Sequence, residues 1–189
     1  MNSSARNTVA MTSSAQAALM HLCRPFVSDD FAAECDLVDE TDVPPPNDAL
    51  LVHRNHMTVE LQRHHGQPVR ERVHQEYVDG DVYTRKITLA LAGSDRIVEC
   101  GIVRLHLHFL PGKVREQVLA KERPLGAILI DHQVHRRIEP RFYVRFAPEC
   151  TVLALFEIGD LPAEVYGRLG TIYCNNQPAI ELLEIVVNA

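Results

Sequence analysis

One arginine stands in a stretch that otherwise reads as a buried strand. Alternation along Val82–Leu91 puts Tyr83, Arg85, Ile87, Leu89 and Leu91 on one face and Val82, Thr84, Lys86, Thr88 and Ala90 on the other. A guanidinium directed among apolar side chains is costly unless it is paired, so Arg85 needs an internal carboxylate, a snorkelling path at a sheet edge, or an anionic ligand. The C-terminal stretch offers the complementary group. Glu184 lies in register with Ile180, Leu182 and Val186, and Glu181 with Ala179, Leu183, Ile185 and Val187. One face of a two-layer sheet is usually solvated, so one glutamate is expected to be buried and the other exposed; periodicity leaves open which.

Other chemistries lack their parts. His106-x-His108 sits beside Arg104, and His132 and His135 fall near a helix end, but no third ligand at a specific spacing accompanies either pair, so no metal is expected. The chain has no G-x-S-x-G elbow, Gly-rich phosphate loop or H-E-x-x-H. Its five cysteines are widely spaced and contain no C-x-x-C, which argues for reduced thiols and a cytoplasmic setting. A net charge of −6 gives no long-range attraction for nucleic acid, and no apolar run is long enough to span a bilayer. The cations are almost all arginine, a bias that fits planar recognition of carboxylates and equally fits compositional drift.

The elements that position these residues belong to one domain of an ordinary globular protein of 189 residues. Residues 1–47 read as an N-terminal arm and a Pro-rich acidic connector, partly disordered, with a short helical patch over Ala15–Cys23; residues 48–189 form the domain. Two helices, around Leu50–Val52 and Val59–Leu61 with Gly66 as terminator, precede three strands at Val69–Val78, Val82–Leu91 and Arg96–Leu110. A helix around Val114–Leu119 is interrupted by Pro124, strands resume at Val134–Ile138, Phe142–Phe146 and Thr151–Phe156, and a last hairpin turns at Asn175-Asn176-Gln177. Clustered strands and clustered helices predict an α+β fold with an antiparallel sheet.

Five fragments in one order resemble the chorismate pyruvate-lyase (chorismate lyase-like) family: His56-Met57-Thr58, Thr84-Arg85-Lys86, Pro124-Leu125-Gly126, Tyr166-Gly167-Arg168, and Gln177-Pro178 followed by a glutamate. The match covers about residues 50–187. It implies a six-stranded antiparallel sheet with helices or flaps covering one face and enclosing a small aromatic acid. The ligand carboxylate would be held by Arg85 and by main-chain groups at Met57 and Leu125–Gly126. Glu184 would contact the ring hydroxyl, with Glu181 as the fallback. Arg168 would either reach the enolpyruvyl carboxylate or pair with an acidic neighbour. Leu89, Leu125 and Ile128 would line the chamber. The implied activity is conversion of chorismate to 4-hydroxybenzoate and pyruvate, in ubiquinone or other aromatic metabolism, without cofactor or metal, by a monomer or homodimer.

The sequence departs from the family in having no Trp, Leu169 after Gly-Arg, Leu183 before the glutamate, and a long leader. Two alternatives stay open: a related lyase on a chorismate-like substrate, and a non-catalytic binding domain for an aromatic carboxylate, since effector domains of some transcription regulators share this fold. The leader is acidic and Pro-rich where a DNA reader is basic.

Overall fold

The computed structural model describes residues 9–28, 35–159 and 161–189. Six long strands form the body of one antiparallel sheet: β3 (Val69–Asp79), β4 (Val82–Leu91), β5 (Ile97–His106), β6 (Arg136–Phe146), β7 (Val165–Cys174) and β8 (Gln177–Val186). Two short strands, β1 (Val9–Ala10) and β2 (Asp36–Val38), extend it at the β6 edge, so eight strands run in the order β1-β2-β6-β7-β8-β5-β4-β3. The expected six are the long ones, and the fold is the expected α+β arrangement, consistent with the chorismate lyase-like fold.

Turn chemistry sets the hairpins. Gly80 sits at positive φ between β3 and β4, and Asn175 and Asn176 both take φ > 0 in the two-residue connection from β7 to β8, a geometry that Asn tolerates and that matches the twist of the strands it joins.

Helices cover both faces. On the face carrying Tyr83, Arg85, Ile87, Leu89 and Leu91 lie α2 (Asn47–Leu51), α3 (Met57–His65), α4 (Gly112–Ala120) and α5 (Leu125–Asp131). These bury Leu50, Leu51, Met57, Leu61, Val114, Val118, Leu125, Ile128 and Leu129 against the sheet. On the opposite face α1 (Ser13–Cys23) and α6 (Thr151–Ala154) pack on Cys100, Ile102, Phe146, Leu169, Leu183 and Ile185. None of the helices among the described residues is long and apolar enough to cross a membrane.

Three expectations are corrected. Thr151–Phe156 does not form a strand. Val152, Leu153 and Phe156 are all buried in the same core, a spacing that a helical turn presents to one side, whereas a strand would split Val152 from Leu153. The third strand stops at His106, and Leu107–Phe109 makes a 3-10 turn. The leader is not a separate arm in its described parts: Thr12 caps α1 by accepting from the Ala15 N–H, Leu19, Leu22 and Cys23 are buried, and β2 pairs with β6. Amphipathic burial at i, i+3 and i+4 draws this segment onto the sheet. Residues 1–8 and 29–34, where disorder was also expected, lie outside the described residues.

Candidate functional site

The pleat brings every buried charge of the helix-covered face into one layer. Register pairs Arg85 with Val103 across β4–β5 and Val103 with Leu182 across β5–β8. Gly101 opposes Glu184, Glu99 opposes Leu89, and Arg168 lies directly opposite Glu184 across β7–β8. Arg85, Glu99, Glu184 and Arg168 therefore point to the same side as Glu71 of β3, which opposes Leu89. The alternation argument thus holds for Arg85, and the register puts the two glutamates on opposite faces. Glu184 faces this layer with its side chain 12% exposed, while Glu181 faces the other way and is more open.

Arg85 is fully buried, and its Nη2 lies 2.8 Å from Oε1 of Glu71. The contact is an ion pair without hydrogen-bond alignment, and Nε and Nη1 have no hydrogen-bond acceptor among the described residues. The Glu71 carboxylate also accepts from the Leu125 N–H at the start of α5. Burial pushes the Glu71 pKa above the ordinary carboxylate value, an effect opposed by Arg85 and by the Leu125 N–H. Arg85 and Leu125, the two groups expected to hold a ligand carboxylate, therefore converge on the carboxylate of Glu71. Beyond this pair, Tyr83 donates to Glu76 at 2.8 Å and Lys121 donates to both Glu76 oxygens at 3.1 Å. These donors hold the Glu76 carboxyl below its usual range, while burial and the bond to Glu76 hold the Tyr83 phenol above its own.

The second pair is more completely satisfied. Arg168 Nε donates to Glu184 Oε2 at 2.6 Å, and its Nη1 donates to the carbonyls of Leu51 at 2.9 Å and His53 at 2.8 Å. The side chain thus ties the segment between α2 and α3 to the sheet. This is the acidic-neighbour alternative for Arg168, and the geometry makes it a positioning residue.

Between the two pairs stands Glu99, buried, with Oε2 lacking any hydrogen-bond partner among the described residues. Burial first, and then the negative charge of Glu184, drives its pKa well above the ordinary value; Arg168 opposes this and Glu71 adds to it. The layer thus sets three acids, Glu71, Glu99 and Glu184, beside two guanidiniums, Arg85 and Arg168.

Glu71 and Glu99 were not read from the sequence. Each carried a signal: Glu71 alternates with Val69 and Val73, and Glu99 with Gly101, Val103 and Leu105. Gly101 has a further role. A Cβ there would strike the Leu183 carbonyl, so glycine lets β5 and β8 approach at this point, with Glu99 and Val103 flanking it on the same face.

The remaining expected residues lie on the covering helices. Met57 opens α3 with its side chain buried against β4 and β8. Gly126 follows Leu125 in α5, and a Cβ at Gly126 would come within 3.1 Å of the His56 Cβ and 3.2 Å of its ring, so the missing side chain seats His56. Leu89 and Ile128 pack into the neighbouring cores. None of the best-formed cavities among the described residues is lined by Arg85 or Glu184. The two most prominent of these, of about 600 and 700 Å³, border Tyr143 and His53 in one case and His56 and Arg136 in the other. The reason is local: Arg85 draws in Glu71 and Arg168 draws in Glu184, so protein carboxylates fill the space nearest each guanidinium.

On the opposite face, Arg104, His21 and His106 gather around Glu181 Oε2 at 3.4 to 3.8 Å, a partly solvated cluster in which burial and Arg104 lower the His21 pKa. No group of three or more metal-ligating side chains with metal-holding geometry occurs among the described residues. The cysteines are free, and burial pushes the Cys23 and Cys35 thiols up to about 12, so they stay protonated.

No family model matches the sequence, and no curated protein matches it. Among solved structures the chain is similar to PhnF from Mycobacterium smegmatis, with a TM-score of 0.52 and 12% identity, covering 72% of this chain and 65% of that one. At this identity the likeness is one of fold, and the chain spans less than two thirds of the PhnF chain.

Proposed function

We propose that the chain is a binding domain for a small aromatic carboxylate, held at Arg85 between the sheet and helices α3 to α5. The observation that carries this reading is the Arg85 guanidinium: fully buried, with Nε and Nη1 lacking acceptors among the described residues, and Glu71 as its ion-pair partner at 2.8 Å. A ligand carboxylate meets the Nε/Nη fork bidentately, a stronger contact than the single misaligned one made by Glu71. The Leu125 N–H then passes from Glu71 to the ligand. Two strand spacings across and two residues along separate the Cα atoms of Arg85 and Glu184 by about 12 Å. This suits one ring with a carboxylate at one end and a hydroxyl at the other.

The self-paired state of Glu184, its Oε2 already bound by Arg168, supports binding over catalysis. The fold also serves as a binding domain in proteins that catalyse nothing. Titrating the folded protein with 4-hydroxybenzoate by calorimetry tests the reading. Saturable binding that Arg85→Lys weakens by about tenfold or more is expected, and equal binding by the variant would refute it.

A second reading, a cofactor-free chorismate lyase, is favoured by Glu99, a buried acid in the same layer as Glu184 and Arg85. In that reaction Glu184 accepts the proton from C4 as the ring becomes aromatic. The C3–O bond breaks, and the departing enolpyruvate is protonated to pyruvate. Incubation with chorismate, following pyruvate and 4-hydroxybenzoate together, separates the two readings: product in equal amounts supports the lyase, and binding without product supports the binding domain.

A further inference from the structure

A second cationic site lies outside the charged layer. A groove of about 700 Å³ between the α3 and α5 flank and the start of β6 is lined by Arg54, Asn55, His56, Val59, Ile130, Val134, His135, Arg136, Arg137 and Ile138, with no carboxylate in its lining. Three arginines share it, and they are not equivalent. Arg137 is paired with Glu139 and stacks its guanidinium 4.2 Å from the centre of the Tyr173 ring. Arg54 and Arg136 have no carboxylate within salt-bridge reach among the described residues.

Arg136 is the better defined of these two. Its Nε donates to His56 Nε2 at 2.6 Å and its Nη1 to the Val134 carbonyl at 3.2 Å. Both acceptors are uncharged: the buried His56, seated against Gly126, must be neutral to accept at Nε2, and burial together with Arg136 and Arg168 drives its pKa down to about 4. The guanidinium is therefore aimed by two neutral acceptors and its charge is left unspent towards the groove. Apolar surface adjoins it. Val59 and Ile130 are 41% and 38% exposed, among the few large apolar side chains of the described residues that solvent reaches.

We infer that this groove binds an organic dianion, a phosphate monoester or a dicarboxylate with an apolar body. Two uncompensated guanidiniums match a doubly charged head group, with Arg136 presented in the planar geometry that phosphate and carboxylate share. Val59, Ile130, Val134 and Ile138 take the apolar body, and Asn55 stands at the rim. The site contains neither Arg85 nor Glu184 and does not depend on the ligand proposed for them.

The probes are phenyl phosphate and isophthalate, each titrated by calorimetry into the full chain at low ionic strength, with phenol as the neutral control. Binding of either dianion, weakened about tenfold by Arg136→Gln and less by Arg54→Gln, is expected. Arg85→Lys should leave it unchanged, and phenol should not bind. The tighter of the two dianions identifies the head group. Absence of binding by both dianions would overturn the inference, as would binding that Arg136→Gln leaves intact or that Arg85→Lys abolishes. Arg136→Lys, which keeps the charge but not the fork, should recover part of the affinity and guards against a merely structural loss.

Discussion

Glu71→Gln removes the direct ion-pair partner of Arg85 while keeping the shape of the side chain and an acceptor for the Leu125 N–H. Breaking one partner out of a buried ion pair costs about 3 to 5 kcal/mol, because the surviving charge has neither water nor a counter-ion. Arg85 is fully buried and two of its nitrogens already lack acceptors, so the lower end of that range, about 3 kcal/mol, is the expected destabilisation. For a chain of this size it lowers Tm by roughly 6 to 12 °C. The same substitution should favour the ligand, since a carboxylate entering the site no longer displaces a competing one. In differential scanning calorimetry, a saturating aromatic carboxylate should therefore raise the Tm of Glu71→Gln by more than it raises that of the wild type. The double substitution Arg85→Met with Glu71→Leu, which removes both charges for apolar groups of similar volume, should regain most of the lost stability and bind nothing. The reasoning fails if Glu71→Gln is as stable as the wild type and gains no more from the ligand, because Arg85 would then not depend on a counter-anion.

Two further outcomes follow from the same packing. A carboxylate whose folded pKa is raised contributes stability that is fully present below its unfolded value and is lost as pH rises through the folded value. Glu99 should thus cost the wild type about 1.4 kcal/mol per pH unit relative to Glu99→Gln, from pH 4.5 upward until its folded value is reached. Urea denaturation of both proteins across this range measures the slope, and parallel curves would show that Glu99 is not desolvated. Leu19→Ala, in the leader helix α1, should cost about 3 kcal/mol in the same assay, because Leu19 is fully buried in the core against the sheet; a change under 1 kcal/mol would mean that α1 does not dock as described.

Period two along β4 was enough to place Arg85 inward, because eight of its ten residues are buried and the strand is flanked on both sides. The closing hairpin was legible for the same reason, with Asn175-Asn176 marking its turn. The partner of Arg85 was not. The strand that carries Glu71 reads Val-Arg-Glu-Arg-Val-His-Gln-Glu, the pattern of a solvated edge, and only the docking of α5 over its first half buries the carboxylate. Glu184 was legible as an oddity and Arg168 only through the resemblance, and their meeting depends on the β7–β8 register, which Pro178 and an irregularity at Ile172/Tyr173 shift by one residue. The apolar run at Thr151–Phe156 is too short for its period to distinguish strand from helix, and burial decided it.

The central claim is that the buried fork of Arg85 receives a ligand carboxylate, and the side-chain Nε–Hε resonance of Arg85 reports on that directly. In a 15N-labelled sample, with the signal assigned by its loss in Arg85→Lys, titration with 4-hydroxybenzoate should move this resonance saturably as Hε gains an acceptor. Benzyl alcohol should leave it in place. A resonance that stays fixed while other signals report binding would mean that the ligand carboxylate is held elsewhere, and the account of Arg85 would be wrong.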